Sequence, residues 1–479
     1  MGSGSASWVQ KARYPQRVAP SQTDTEQPAQ TRTPTRGAES ANSAPRTSAA
    51  TAAKTTSSVS QAASAATAGV PRSIQRAPES APRTAVVGAG VVGLLTAWQL
   101  RLAGHAVTIL DPAPGSEASH AAAGMLAPIG EVQYGQQQLW DLMTAARAEY
   151  PPLFQTLAAA TAEPTGYRDT PSYLVAADPG DKDAVADLVS VQQAQGMTVE
   201  PLTGSRLRRA EPALAPGLAK AWEVPSDHQV NPRQLIRCVN AALTAELDPS
   251  SFATPGPRAS WLHSAVTAIE TTDDDAGSPQ VTITTGEGPH TFDSVVISPG
   301  LGYTEIRGIP QEHPVPLRPV HGDVIRLRVR EEQLAPGEGH LISATIRARV
   351  AGRPVYLVPR APEDPLEPRG LVIGASSRED GLAGTHTGSV QELLEDAAAV
   401  LPAVRESELV EITTRARPGT PDDRPYLGEV SPGVVVSTGY HRHGILLAPL
   451  AARLAAALVT GTQLSQNDTE YLEAMRLGR

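Results

Sequence analysis

The chain has 479 residues, enough for one large domain or two of ordinary size. Its net charge of −10 is unevenly spread: residues 1–82 hold nine Lys/Arg against four Asp/Glu, leaving a strongly acidic body. That body has no Lys/Arg-rich run, which argues against nucleic acid as the main partner, and the single cysteine, Cys238, excludes a disulfide framework and a thiolate zinc cluster.

In chain order, residues 1–82 are Ser, Thr, Ala, Pro and Gln with scattered Arg and no apolar period. Such a segment cannot bury enough surface to offset its chain entropy, so a disordered low-complexity tail is expected. Its basic, Ser-rich character resembles a transit peptide in part, but a floppy extension is the simpler reading. No signal-peptide core is evident, and no apolar run reaches the roughly 18 to 20 residues of a membrane span. A soluble, cytoplasmic protein is the expectation.

Order is expected from residue 83. Residues 85–87 read as a strand that runs into glycines, then a helix-period stretch, then a second strand at 106–110. Further strands are expected at 173–177 and 324–329. In the latter, Ile325, Leu327 and Val329 alternate with Arg326, Arg328 and Arg330, the pattern of a sheet with one wet face. Residues 181–195 and 390–400 read as helices, and so does the apolar run 445–459, with Gly461 just beyond it. No internal repeat is present. The mixture implies a parallel nucleotide-binding sheet and an antiparallel sheet interleaved in sequence.

Gly88, Gly90 and Gly93 match G-x-G-x-x-G between strand and helix, and Asp111 ends the second strand. Gly88 permits the tight turn, Gly90 lets a pyrophosphate approach the backbone, and Gly93 lets the helix pack on the strand. Asp111 would accept hydrogen bonds from ribose hydroxyls. The motif binds a dinucleotide without distinguishing NAD from FAD. The next segment, SEASHAAAGMLAP (116–128), is a run of small residues ending in Gly-Met, so its backbone passes close to something bulky.

Together these pieces resemble the D-amino-acid oxidase superfamily of flavoenzymes, most closely the glycine oxidases of thiamine biosynthesis. PVYLVPR (354–360), RARPGTPDDRPYLG (415–428) and TGYHRHGILLAP (438–449) agree, so the likeness runs over roughly 83–460 in the family's order. The implied fold is α/β (α+β overall), a Rossmann-like FAD-binding domain interleaved with an antiparallel-sheet substrate domain. The implied division gives 83–165, 226–309 and 411–465 to the FAD-binding domain. It gives 166–225 and 310–410 to the substrate domain, with 466–479 a C-terminal tail.

The resemblance implies FAD contacts from Gly88, Gly90, Val91, Val92, Gly93, Asp111 and Pro112 around the pyrophosphate and ribose. It implies Ala118, Ser119, Ala123, Gly124 and Met125 along the flavin and Val266 at the adenine. Tyr440, His441, Arg442, His443, Gly444, Ile445 and Leu446 would complete the cofactor site, with the helix N-terminus near Ile445 aimed at the flavin. His120 stands where the family often has Ser or Thr. Some relatives tether FAD through cysteine; Cys238 sits in a helix-period segment far from those motifs, so non-covalent FAD is expected and Cys238 reads as core.

For the substrate, the resemblance implies Arg417 as carboxylate clamp, with Tyr356 and Arg442 as further polar contacts. A guanidinium fork suits a carboxylate because two parallel hydrogen bonds fix position and orientation together. Arg415, two residues earlier, reads as a structural neighbour. No separate catalytic acid or base is expected, because an amine aimed at the flavin can pass hydride directly. The implied reaction is oxidation of glycine or another small amino acid, with oxygen reduced to hydrogen peroxide and iminoacetate passed to thiazole synthase. A homo-oligomer is also implied. Alternatives are a D-amino-acid or sarcosine oxidase or dehydrogenase of the same fold, and a flavin-binding protein without turnover. A metal site on His441 and His443 is the weakest reading, because nearby Glu411, Asp422 and Asp423 lack ligand spacing.

Overall fold

The computed structural model describes residues 81–273, 279–309 and 314–479. Most of the expected tail, residues 1–80, lies outside the described residues.

The first strand, Arg83–Val87, sits inside a six-stranded sheet. Ala106–Leu110 and Ser260–Leu262 lie to one side, and Ser294–Ile297, Val434–Thr438 and Tyr426–Ser431 to the other. All pairs are parallel except the outermost, where Tyr426–Ser431 runs against Val434–Thr438. Both faces are covered along the inner strands Arg83–Val87, Ser294–Ile297 and Val434–Thr438, so these are largely apolar and buried rather than alternating, whereas the edge strands are partly exposed. The two-residue period still sorts them. Val86, Val296 and Val435 face the helices Val91–Leu102 and Gly444–Thr460. Ala85, Val87, Val295 and Ile297 face the antiparallel ribbon of Val266–Asp273, Pro279–Thr285 and Gly288–Phe292.

Helix Gly444–Thr460 ends at Gly461, whose left-handed φ of 65° closes the last turn. By length and composition, His441–Thr460 could cross a membrane, which revises the expectation that no apolar run is long enough. Here 67% of its most apolar window is buried in the protein, against Val91–Leu102 and Gln137–Ala148.

The second sheet has eight strands, in the order Glu408–Gly419, Arg318–Arg328, Gly370–Gly374, Arg353–Pro359, Thr345–Val350, Ser172–Ala176, Lys220–Val224 and Glu200–Leu202. Neighbours are antiparallel except Thr345–Val350 with Ser172–Ala176. Helix Thr387–Val400 covers one face over Ile325, Leu327, Leu357 and Ile373. The other face meets the small-residue segment: Val324, Val358 and Val372 pack on Ala123.

Three expectations need correcting. Arg326 is on no wet face: it is 4% exposed, because its face of the sheet is pressed against the 120–122 backbone, where its guanidinium donates to three carbonyls. Residues 411–419, assigned to the FAD-binding side, lie in the eight-stranded sheet, paired with Arg318–Arg328 as far as Gly419. The expected C-terminal tail contains helix Gln466–Ala474, started by a Ser465 capping box, and Met475 is buried.

Candidate active site

A cavity of about 800 Å³ runs between the two sheets. Its first wall is the turn between Arg83–Val87 and Val91–Leu102. Gly88 has φ of 99°, and a Cβ there would overlap the carbonyl of Ser298. Gly93 lines no part of the cavity; a side chain there would strike Gly88 O, so its role is helix–strand packing. The first N–H groups of the helix have no intrahelical acceptor. The N–H of Val91 donates to Ser119 Oγ at 3.1 Å, tying the glycine turn to the small-residue segment.

Asp111 ends its strand with both carboxylate oxygens pinned. Oδ2 accepts from Ala89 N and Oδ1 from Ala113 N, each at 2.7 Å. A carboxylate accepts about four hydrogen bonds, so acceptor capacity remains toward the cavity it lines. Gly124 adopts φ of 88° where a side chain would overlap Val230 O. Behind the segment, Arg326 and Arg360 donate to the carbonyls of residues 120–123, and both pair with Glu367. His120 turns away from the cavity to Arg233, 2.8 Å from its Nη2, which accounts for a histidine here. A glycine cradle, an aimed carboxylate and a rigid small-residue wall fit a dinucleotide with a flat ring system.

The opposite wall comes from the eight-stranded sheet. Arg417 donates from Nη1 to Ser376 O at 3.3 Å, and among the described residues nothing else hydrogen-bonds its fork. Its guanidinium lies where a Cβ on Gly322 would be. Tyr356 repeats the device: its hydroxyl lies over Gly374, its partner across the strand pair. Each glycine thus makes a seat for a functional side chain on the next strand. Burial pushes the Tyr356 hydroxyl pKa up against the pull of Arg417, so it remains a proton donor. Ser376 is held by Asp323, whose carboxylate also takes Thr414 and Arg378.

The Tyr440–Ile445 corner closes the cavity. Arg442 is exposed toward it, and Gly444, Ile445 and Leu446 bring the N-terminus of Gly444–Thr460 to its wall. His441 has φ of 46° and places Nδ1 2.9 Å from Asp423 Oδ1, which it holds down at a pKa of about 2. Burial pushes His443 down to about 4, so it is neutral at pH 7. Among the described residues no three His, Cys, Asp or Glu side chains converge as a metal site. Of the nearby carboxylates, Glu411 is committed to Arg233 and Asp422 to Arg424 and Arg479, and only Asp423 reaches His441.

Every expected site residue except Gly93 lines this one cavity, from Gly88, Asp111, Pro112 and Val266 to Tyr356, Arg417 and Arg442. Cys238 is buried in Pro232–Thr244, away from the cavity, with its thiol pushed up to about 11 by burial. Sequence reading missed Ser298, Pro299, Gly300, Glu131 and Arg347. The Ser-Pro-Gly turn after the apolar strand Ser294–Ile297 was a usable signal, since it sits beside the first glycine turn. Glu131 and Arg347 carry no local signal.

The protein-family model described as FAD dependent oxidoreductase matches residues 83–458. The glycine oxidase of Geobacillus kaustophilus is 30% identical over 380 residues, 78% of this chain and 92% of the relative. A bifunctional protein ThiO/ThiG of Nostoc sp. is 29% identical over 377 residues, 78% of this chain but 52% of the relative, so the chain spans about half of that protein. The crystal structure of glycine oxidase from Geobacillus kaustophilus superposes with a TM-score of 0.66 at 28% identity, covering 80% of this chain and 96% of that one. Glycine turn, terminal aspartate and family match agree over the same residues, and the chain belongs to the FAD dependent oxidoreductase family.

Proposed function

We propose that this protein oxidises a small amino acid at its Cα, with glycine the leading substrate and oxygen the final acceptor. The amine becomes an imine and oxygen becomes hydrogen peroxide. The observation that carries the reading is the pairing of Arg417 and Tyr356, seated over Gly322 and Gly374, in the same cavity as the Gly88 turn and Asp111.

FAD, when bound, supplies a two-electron hydride acceptor. The glycine turn and Asp111 would hold its pyrophosphate and ribose, and residues 118–125 would line its ring. Arg417 takes the substrate carboxylate in its fork, with the Tyr356 hydroxyl and Arg442 as further donors. That grip leaves the Cα–H bond one direction to point, and orientation of this kind supplies much of the rate. The N-terminus of Gly444–Thr460 offers a positive dipole end where negative charge grows.

The iminoacetate formed from glycine would pass to thiazole synthase, a pairing supported by relatives whose names join ThiO to ThiG. A homo-oligomer acting in the cytoplasm belongs to the same reading. The test is anaerobic addition of glycine, sarcosine and D-alanine to the FAD-loaded protein. Glycine is expected to bleach the flavin, and no bleaching by any amine would sink the reading. Arg417→Ala should lower kcat/KM about a hundredfold or more while FAD stays bound; loss of FAD instead would mean the arginine serves the cofactor.

A further inference from the structure

Besides Asp111, Glu117 and Glu305, the cavity wall holds Glu131, together with Arg347, Arg417 and Arg442. Glu131 Oε1 lies 2.5 Å from Arg347 Nη1, and among the described residues no group hydrogen-bonds its second oxygen. Most of its acceptor capacity is therefore open. Burial pushes the Glu131 carboxyl up, but the combined pull of Arg347, His443 and Arg442 holds the group below the usual carboxylate range.

Its position is fixed from several sides. Glu131 N donates to Ala127 O at 3.1 Å, closing a turn. The buried carboxylate of Asp227 accepts from Gly130 N at 2.8 Å, Ile129 N at 3.2 Å and Ser172 Oγ at 3.3 Å. Gln192 Nε2 donates to Ile129 O at 2.9 Å. A Cβ at position 130 would lie 2.9 Å from Arg347 Nε and 2.8 Å from Asp227 Oδ2, so a larger residue there would have to displace the ends of those two side chains. A purely structural ion pair would need neither this fixed turn nor an open oxygen at a cavity.

We propose that Glu131 receives the amino end of the substrate, so that the cavity reads a zwitterion, with Arg417 and Arg442 on its carboxylate and Glu131 on its ammonium. Arg347 is then a positioning residue that keeps Glu131 charged and aimed. The inference rests on the amino-acid reading above and goes beyond it. It makes the nitrogen a specificity element in its own right and disfavours plain carboxylates of the same shape.

The test compares two ligands that differ in nitrogen and cannot be oxidised at Cα, 2-amino-2-methylpropanoate and 2,2-dimethylpropanoate. Their binding to the FAD-loaded protein is measured by calorimetry and by competition. Glu131→Gln should weaken the amine-bearing member about ten- to a hundredfold and leave the plain carboxylate unchanged or tighter. Glu131→Asp, which keeps the charge but draws it back, should weaken the amine-bearing member in the same sense. Equal loss for both ligands, or no change in either, would overturn the assignment. If wild type oxidises glycine while the variant affects both ligands equally, only the Glu131 role fails. If no amino acid reduces the wild type, the functional reading fails and takes this one with it.

Discussion

The cofactor side of the cavity is largely one continuous piece of chain, while the opposite wall is assembled from strands distant in sequence. Residues 83–111 provide turn, helix start and terminal carboxylate in order, and the next segment adds the small-residue wall. Tyr356, Arg417 and Arg347 meet only because sheet register sets them side by side with Gly374 and Gly322. The first wall presents backbone, where an added Cβ meets another main chain. The second presents side-chain ends, where an added Cβ meets a movable group. Equal-sized mutations should therefore fail differently on the two sides.

Gly88→Ala should have the largest effect. It combines a left-handed φ with overlap of the Ser298 backbone, neither of which can yield. A stability loss of about 3 kcal/mol or more and loss of bound FAD are expected, read by thermal denaturation and flavin absorbance. A stable, FAD-replete variant would break the comparison.

Gly322→Ala and Gly374→Ala should sharpen it. Each displaces the far end of Arg417 or Tyr356, so stability should change by less than about 1 kcal/mol with FAD retained. The specificity constant should fall about ten- to a hundredfold. Unfolding in these variants would show that the seats belong to the core rather than to the substrate.

The smallest effect is a pH dependence. His443 is depressed to about 4, chiefly by burial, with Arg442 and His441 against protonation and Glu131 and Asp423 for it. A depressed histidine contributes stability above its unfolded value of about 6.5, lost as pH falls toward 4. Asp227 is raised to about 6 by burial, so its contribution has the opposite sign: present below about 4 and lost as pH rises through 6. The two oppose each other between pH 4 and 6. His443→Asn should flatten the acid limb of stability by about 1 to 2 kcal/mol, measured as unfolding free energy against pH. An unchanged limb would show that His443 is already protonated in the fold.

The cofactor side was legible because its chemistry is local. Spacing alone marked Gly88, Gly90 and Asp111, and even the packing role of Gly93 followed from the motif. Tyr356, Arg417 and Arg442 were named by resemblance, with no indication of what held them. The alternation around Arg326 was read as half wet because a strand's period reports two faces but not what covers each. His120 looked like a departure at the cofactor and belongs to an arginine–glutamate network behind it.

Short-range pattern by itself marked a dinucleotide turn, a run of small residues whose backbone passes close to something bulky, and the bodies of the helices Pro179–Ala194, Thr387–Val400 and Gly444–Thr460, because dihedral limits and apolar periods act over a few residues. Only the tertiary structure decided which glycines make room for Arg417 and Tyr356. It also decided that the arginines at 326 and 360 grip the 120–123 backbone, and that Glu131 lines the cavity. Those are contacts between strands and loops far apart in the chain, and strand register, which no local stretch encodes, sets them.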